Sequence, residues 1–430
     1  MSDWTPGDRV SKLRGAIGTP LLYSVAAVVL GMALPRLETA FLPDLVAPIG
    51  AGPAIALLSS IASGMLPLTG LVFSLAFVMV QFSATAYSPR LVTWFAGSAM
   101  MNHSLGVFTA TFLSAIAALA WVDRGGTGKV PLLTVWFAIV LLLVSVVFFV
   151  LLVEKLAMLQ ISRVLAYAGD RGREVIERDY ASLGAGGEEE GKAAADELPA
   201  ESQVVLHRGG PAVIQAIEVK GLVALASREG AVVAMAWAVG DTLVDGMPLL
   251  RVHGGGRPLP EARLRRLVHL GSERTFEQDP KYALRILVDI AIKALSPAIN
   301  DPTTAVQALD QVEDLLLRLG RVDLAGGRVR DERGSLRLVF PVPTWEDFLI
   351  LAFGEIRHCG ASSIQVMRRL RALLQDLKEQ VPPERRPALQ RYLERVDGGI
   401  RRTFEDEDDR KDALEEDRQG LGLSREQREA

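Results

Sequence analysis

Hydrophobic positions divide this chain near residue 156. Before it they come in long runs with few charges, and after it in short clusters spaced among charged residues. The stretch LPLTGLVFSLAFVMVQFSATAYSP, Leu66 to Pro89, carries no charge and is long enough to cross a bilayer core as a helix. At 100° per residue, Gly70, Ser74, Gln81, Thr85 and Ser88 fall on one side of that helix. Lipid offers Gln81 no hydrogen-bond partner, so this small and polar stripe predicts contact with protein or water. It reads either as a packed helix–helix seam or as the lining of a polar pathway.

Three further runs complete a four-span pattern. The first span is Leu21 to Leu37, with Arg36 and Glu38 where it meets the interface. Ala54 to Met65 is too short to span alone, so it predicts the first half of one helix continuing through Pro67 into the uncharged stretch. The third is Ser104 to Val122 and the fourth Pro131 to Leu156. An inside N-terminus places Arg9, Lys12, Arg14, Arg90, Lys155, Arg163, Arg171 and Arg173 in the cytoplasm. It leaves only Arg36, Arg124 and Lys129 outside, so the positive charge predicts this orientation, with both termini cytoplasmic.

Beyond residue 156 the period changes. A helical pattern continues to Tyr180 as a stalk, and GGEEEGKAAADELPAES, Gly186 to Ser202, reads as an acidic linker. Residues 203–258 form a β-rich module of short apolar runs punctuated by glycine. Within it VGDTLVDGMPLLRV, Val239 to Val252, resembles the hairpin of biotinyl/lipoyl-type barrel-sandwich domains, without the lysine tip that would carry a cofactor. Residues 259–403 read as a helical domain: Glu261–Leu270, Asp279–Leu295, Asp301–Leu319, Thr344–Ile356, Ser362–Glu379 and Glu384–Thr403, with strand-like SLRLVFPV between. The tail from Phe404 to Ala430 is dense in acids and bases and predicts a disordered segment. The expected organisation is a cytoplasmic N-terminus (1–20), a four-helix transmembrane domain (21–156), a stalk and linker (157–202), the barrel-sandwich-like module, the helical domain and the tail. The fold class is therefore membrane α-helical plus a cytoplasmic α/β part.

Polar residues look placed rather than scattered in Arg274 to Asp310. Arg285, Asp289 and Lys293 repeat at every fourth position, an alternating-sign ladder on one helix face. Asn300-Asp301-Pro302-Thr303-Thr304 starts the next helix, with Asp301 as N-cap and Pro302 at the first helical position. The structural reading is a helix–turn–helix held by caps and ion pairs. Two functional readings stand beside it: a small anion at the helix start near Thr303 and Thr304, with Arg274, Arg285 and Lys293, or a divalent cation on Glu277, Asp279, Asp289 and Asp301.

The segment ERTFEQDPKYALRILVDIAIKALSPAINDPTTA, together with LVFSLAFVMVQFSATAYSPR, resembles an uncharacterised bacterial family of predicted membrane proteins carrying a domain of unknown function. The resemblance runs from the first span to about Arg402. It implies a bacterial inner-membrane protein and brings no activity, substrate or site with it.

Composition narrows the function classes. The net charge is −4 and no basic block interleaves with aromatics, which sets nucleic acid aside. One cysteine, Cys359, makes no disulfide within the chain and no cysteine-built zinc site. The five histidines, His103 among them, lack metal-ligand spacing, and no nucleophile, phosphate-loop or dinucleotide motif is found. The expectation is a non-enzyme without cofactor or metal, in the bilayer as a homo-oligomer. It is a channel or transport-like protein gated by its cytoplasmic part, or alternatively a membrane-anchored sensor or assembly scaffold.

Overall fold

The computed structural model describes residues 8–41, 50–82, 99–122, 130–157, 161–180, 198–324 and 327–422. They form two compact units, one ending at Gln160 and one beginning at Ile161.

The described helices of the N-terminal unit are α1 (Asp8–Phe41), α2 (Ala51–Phe82), α3 (Ala99–Leu119) and α4 (Leu132–Ala157). Each contains a stretch long and apolar enough to cross a membrane: Gly18–Glu38, Ala51–Leu75, Met100–Leu119 and Leu132–Glu154. As expected, α2 passes through Pro67 as one helix. Phe73, Phe77, Leu143 and Val147 are all more than half exposed. So apolar a surface suits lipid and not water.

The centre of the unit is α3, which packs against α1, α2 and α4. Small residues set the approach. A Cβ on Gly31 would sit 2.7 Å from that of Ala117, and one on Gly106 would sit 2.7 Å from the Tyr23 ring. Tyr23 also places its hydroxyl 3.2 Å from His103 Nδ1. Hydroxyls inside the unit are satisfied locally. Thr111 donates to the Val107 carbonyl at 2.8 Å, and its oxygen lies 2.8 Å from Ser145 Oγ. Glu38 is buried and accepts from Leu133 N at 3.1 Å and Thr134 Oγ1 at 3.4 Å. A carboxylate from the end of α1 thus caps the positive end of α4.

The C-terminal unit opens with α5 (Ile161–Val175), extended by a π-turn at Ile176–Tyr180. In order there follow β1 (Glu201–Leu206), β2 (Ala212–Ile217), α6 (Val219–Glu229), β3 (Ala231–Met235), β4 (Thr242–Leu243), β5 (Pro248–Gly254), α7 (Glu261–Arg266) and β6 (Val268–Gly271). Then come α8 (Pro280–Ala294), α9 (Pro302–Gly320), β7 (Arg328–Arg330), β8 (Leu336–Val339), α10 (Trp345–Cys359), α11 (Ile364–Gln380), α12 (Arg386–Thr403) and α13 (Glu407–Leu414). A five-stranded sheet has the order β1-β5-β3-β8-β7, with β3 and β8 parallel, and a three-stranded antiparallel sheet runs β4-β2-β6. Val205, Ile214, Leu222, Val233, Leu250 and Leu338 meet in one core beneath them.

Four expectations are corrected. The Val239–Val252 segment is not a hairpin and neither sheet closes into a barrel: β4 pairs with β2, whereas β5 pairs with β1 and β3. The turn between them is tied to His207, whose N–H donates to the Met247 carbonyl and whose carbonyl accepts from Gly246 N. Those bonds lead the chain from one sheet into the other. The basic helix from Glu261 ends at Arg266, because Val268 to Gly271 pairs along β2 as β6. The helix expected as a stalk buries Val164, Leu165, Ala168 and Val175 and packs on α8 and α9 within its own unit. The acidic tail is ordered as far as Gly422: α13 packs on α11, Ala413 and Asp417 are buried, and Arg368 donates to the Asp412 carbonyl at 2.5 Å.

Candidate functional site

The Arg274–Asp310 segment runs from the edge of the three-stranded sheet into α8 and α9. Gln278 acts as a substitute strand, accepting from Ile217 N at 2.9 Å and donating to the Ile217 carbonyl at 3.1 Å. Gln215 donates to the Glu273 carbonyl at 2.6 Å. Asp279 then caps α8, accepting from Tyr282 N at 3.2 Å, as its place before Pro280 requires. The Arg274 guanidinium meets the Asp279 carboxylate at 2.7 Å and lies over the Tyr282 ring at 5.6 Å. Burial pushes the Asp279 carboxyl above its ordinary range, and Arg274 and Lys281 pull against that rise. Gly240, at φ +92, closes over the pair: any Cβ there would collide with the Asp279 carboxylate.

Along α8 the ladder is only partly a ladder. Arg285 Nε binds Asp289 at 2.7 Å, while its two terminal nitrogens grip both oxygens of Glu355 on α10 at 2.9 and 3.1 Å. That bidentate tie joins two helices. The other positions of α8, Leu284, Ile286, Leu287, Val288, Ile290 and Ala291, are buried against α5, α9 and α10. Lys293 is half-buried and interacts with its surroundings.

At the start of α9, Asp301 accepts from Thr304 N at 3.1 Å and from Thr304 Oγ1 at 2.6 Å. Asn300 supports the turn at φ +50, a conformation asparagine tolerates. The helix end is therefore occupied by the chain's own carboxylate, and Thr303 is exposed beside it. Glu277 is also exposed, with its carbonyl bound by Arg178. Among the described residues no group of three or more His, Cys, Asp or Glu side chains converges on a common point, so Glu277, Asp279, Asp289 and Asp301 do not form a cation site. The segment joins α5, the small sheet, α8, α9 and α10. Gly240, Gln215 and Gln278, which complete it, carry no sequence signal beyond a glycine in a turn.

The stripe on α2 is resolved differently. Gly70, Ser74 and Gln81 are exposed, whereas Thr85 and Ser88 lie outside the described residues. The exposed line continues toward the N-terminus through Pro67, Ser63, Ser60, Ser59, Ala56 and Gly52. Ala54, Leu58, Ile61, Met65 and Val72 on the opposite side carry the packing within the unit. Close approach between the helices of the unit is set instead at Gly31 and Gly106. Ser60 and Ser63 donate back to the Ala56 and Ser60 carbonyls at 2.7 and 3.2 Å, which lowers the cost of facing lipid.

A family model described as "Predicted membrane protein (DUF2254)" matches residues 16–376. Proteins of Mycobacterium bovis and of two strains of Mycobacterium tuberculosis, each named only as an uncharacterized protein, are 28% identical over 370 residues, covering 84% of this chain and 70% of each relative. No solved structure matches the chain.

Proposed function

We propose that this chain, which belongs to the DUF2254 family of predicted membrane proteins, works as a homo-oligomer in a bacterial inner membrane. In this reading its second spans meet between subunits and line a channel-like or transport route. One observation carries it: small and polar residues of α2 from Gly52 to Ser74 are exposed on the side away from Ala54, Leu58, Ile61 and Met65, interleaved with the exposed Leu66, Phe73 and Phe77. In a bilayer such a face gains by meeting another copy of itself, because small residues let backbones approach. The distribution of Lys and Arg along the chain favours a cytoplasmic C-terminal unit, which is suited to gate the route.

A second reading, an anchored sensor or assembly platform without transport, is supported by the local satisfaction of Thr111 and Ser145 inside the unit. Both readings meet the same experiment. In a chain bearing Cys359→Ser, Gly70→Cys should form an intermolecular disulfide in native membranes, and purified protein in liposomes should conduct ions. Crosslinking without flux selects the platform. No crosslink at Gly70 or Ser74 removes the seam.

A further inference from the structure

Many arginines of the C-terminal unit meet acids. Arg369 binds Asp310 and Glu313, Arg371 binds Asp397, Arg173 binds Asp170 and Asp314, and Arg337 binds Asp331. Among the described residues others line clefts, most of them without an ion pair, and one of those clefts gathers four. Between α10 and α12 lies a surface cavity of about 560 Å³ lined by Arg357, Arg391, Glu394, Arg395 and Arg402.

On α12, Arg391, Arg395 and Arg402 are four and seven positions apart, which puts all three on one face of the helix. Arg357 joins them from α10. Among the described residues, Arg357, Arg395 and Arg402 have no acid within ion-pair distance, and Arg391 has only Glu346 at 3.7 Å, both side chains being more than half exposed. Such an exposed pair holds its partners weakly. The single acid in the cleft, Glu394, is engaged by Gln390 Nε2 at 3.1 Å.

Local contacts hold two of these cations. Arg357 places a terminal nitrogen 3.0 Å from His358 Nε2, and since guanidinium only donates, that ring nitrogen is the acceptor. The Nε of Arg357 is buried without a hydrogen-bond partner among the described residues. Arg395 lies over the Tyr392 ring at 5.3 Å. Burial raises the Tyr392 phenol, while Arg395, Arg357 and Arg391 all act on it in the opposite direction.

We infer that the α10–α12 cleft is a binding site for a small polyphosphorylated anion. Four guanidinium groups against Glu394 in the cleft and Glu346 beside Arg391 leave a net positive charge, which suits a di- or triphosphate better than a single phosphate. Planar guanidinium forks grip phosphate oxygens two at a time, and the cavity volume falls within the usual range for small-molecule sites. This inference is independent of the oligomer reading. It also places the anion away from the α9 helix start, where Asp301 already holds the backbone.

The test uses the full chain in phosphatidylcholine nanodiscs titrated with inorganic tripolyphosphate, read by calorimetry. The expected result is saturable binding of one anion per chain, with inorganic phosphate at least tenfold weaker. Arg402→Glu should raise Kd at least tenfold. Arg401→Glu, exposed on the same helix but outside the cleft, should change it less than twofold. Thermal melting without ligand, matching wild type for both variants, separates loss of the site from loss of the fold. Absence of saturable binding, or equal loss in Arg401→Glu, overturns the site. Adding phosphatidylglycerol to the nanodiscs should leave Kd unchanged. A tenfold rise would assign the cleft to a lipid headgroup and overturn the soluble ligand.

Discussion

Each unit is built around one central helix, α3 in the first and α8 in the second, and the two helices hold their neighbours by opposite means. Around α3, beside the buried Phe108, the closest approaches run over small residues: Gly106 against Tyr23, Ala117 against Gly31, and Thr111 against Ser145. Around α8 they are large and branched, with Leu284, Ile286, Leu287 and Ile290 buried, and charges such as Arg285 and Asp289 at the rim. Lipid is as apolar as leucine, so burying leucine there gains little, and close backbone approach with paired hydroxyls remains as the means of association. In water the apolar area itself is the driving term, and ion pairs set direction where the burial ends.

If that contrast holds, substitutions of similar size should act unequally in the two units. The largest effect is expected for Leu287→Ala in α8, fully buried against three helices. It should destabilise the C-terminal unit by about 2–5 kcal/mol, read as a fall in its thermal midpoint. A loss of under about 1 kcal/mol would mean that the rim charges, and not the apolar core, hold α8.

A smaller effect sharpens the electrostatic side. The folded unit holds the proton of Asp279 more tightly than the unfolded chain does, since burial raises that carboxyl. For an acid shifted upward, stability is greatest below the ordinary carboxylate range, and it declines as pH rises from about 4 to the raised value, then levels off. Asp279→Asn should remove this part of the decline. Asp331 acts with the opposite sign, because Arg337 lowers it. The informative measurement is therefore the difference between wild-type and variant stability across pH. A difference that does not vary with pH would contradict the burial.

The smallest effect belongs to α3. Thr111→Val keeps the shape and removes the hydroxyl that meets Ser145, and it should cost only about 0.6 kcal/mol in a detergent unfolding titration. A cost as large as that of Leu287→Ala would erase the distinction between the units.

The elements at either end of this comparison were unequally visible in the sequence. Asp279-Pro280 and Asp301-Pro302 announce two helix starts, because an acceptor before a proline suits an N-cap, and both caps form. Long uncharged runs announce the spans for an equally local reason. The stripe on α2 was legible as a stripe, but periodicity does not say which side of a helix meets its neighbours, and the answer depended on Gly31 and Gly106 elsewhere. The division of β4 from β5 rests on bonds to His207, too distant in sequence for a hairpin pattern to reveal. In the arginine cleft the spacing of Arg391, Arg395 and Arg402 could be read from the chain, whereas Arg357 arrives only through the packing of α10.

Glu38 has a consequence for the order in which the protein is made. Its carboxylate ends the first span, while the groups it binds, Leu133 N and Thr134 Oγ1, begin the fourth. When the ribosome delivers the first span, those partners have not yet been synthesised, and the charge must wait in the hydrated boundary of the bilayer. Arrival of the last span turns a waiting charge into a latch. A chain ending before Leu132 would lack both groups that Glu38 binds.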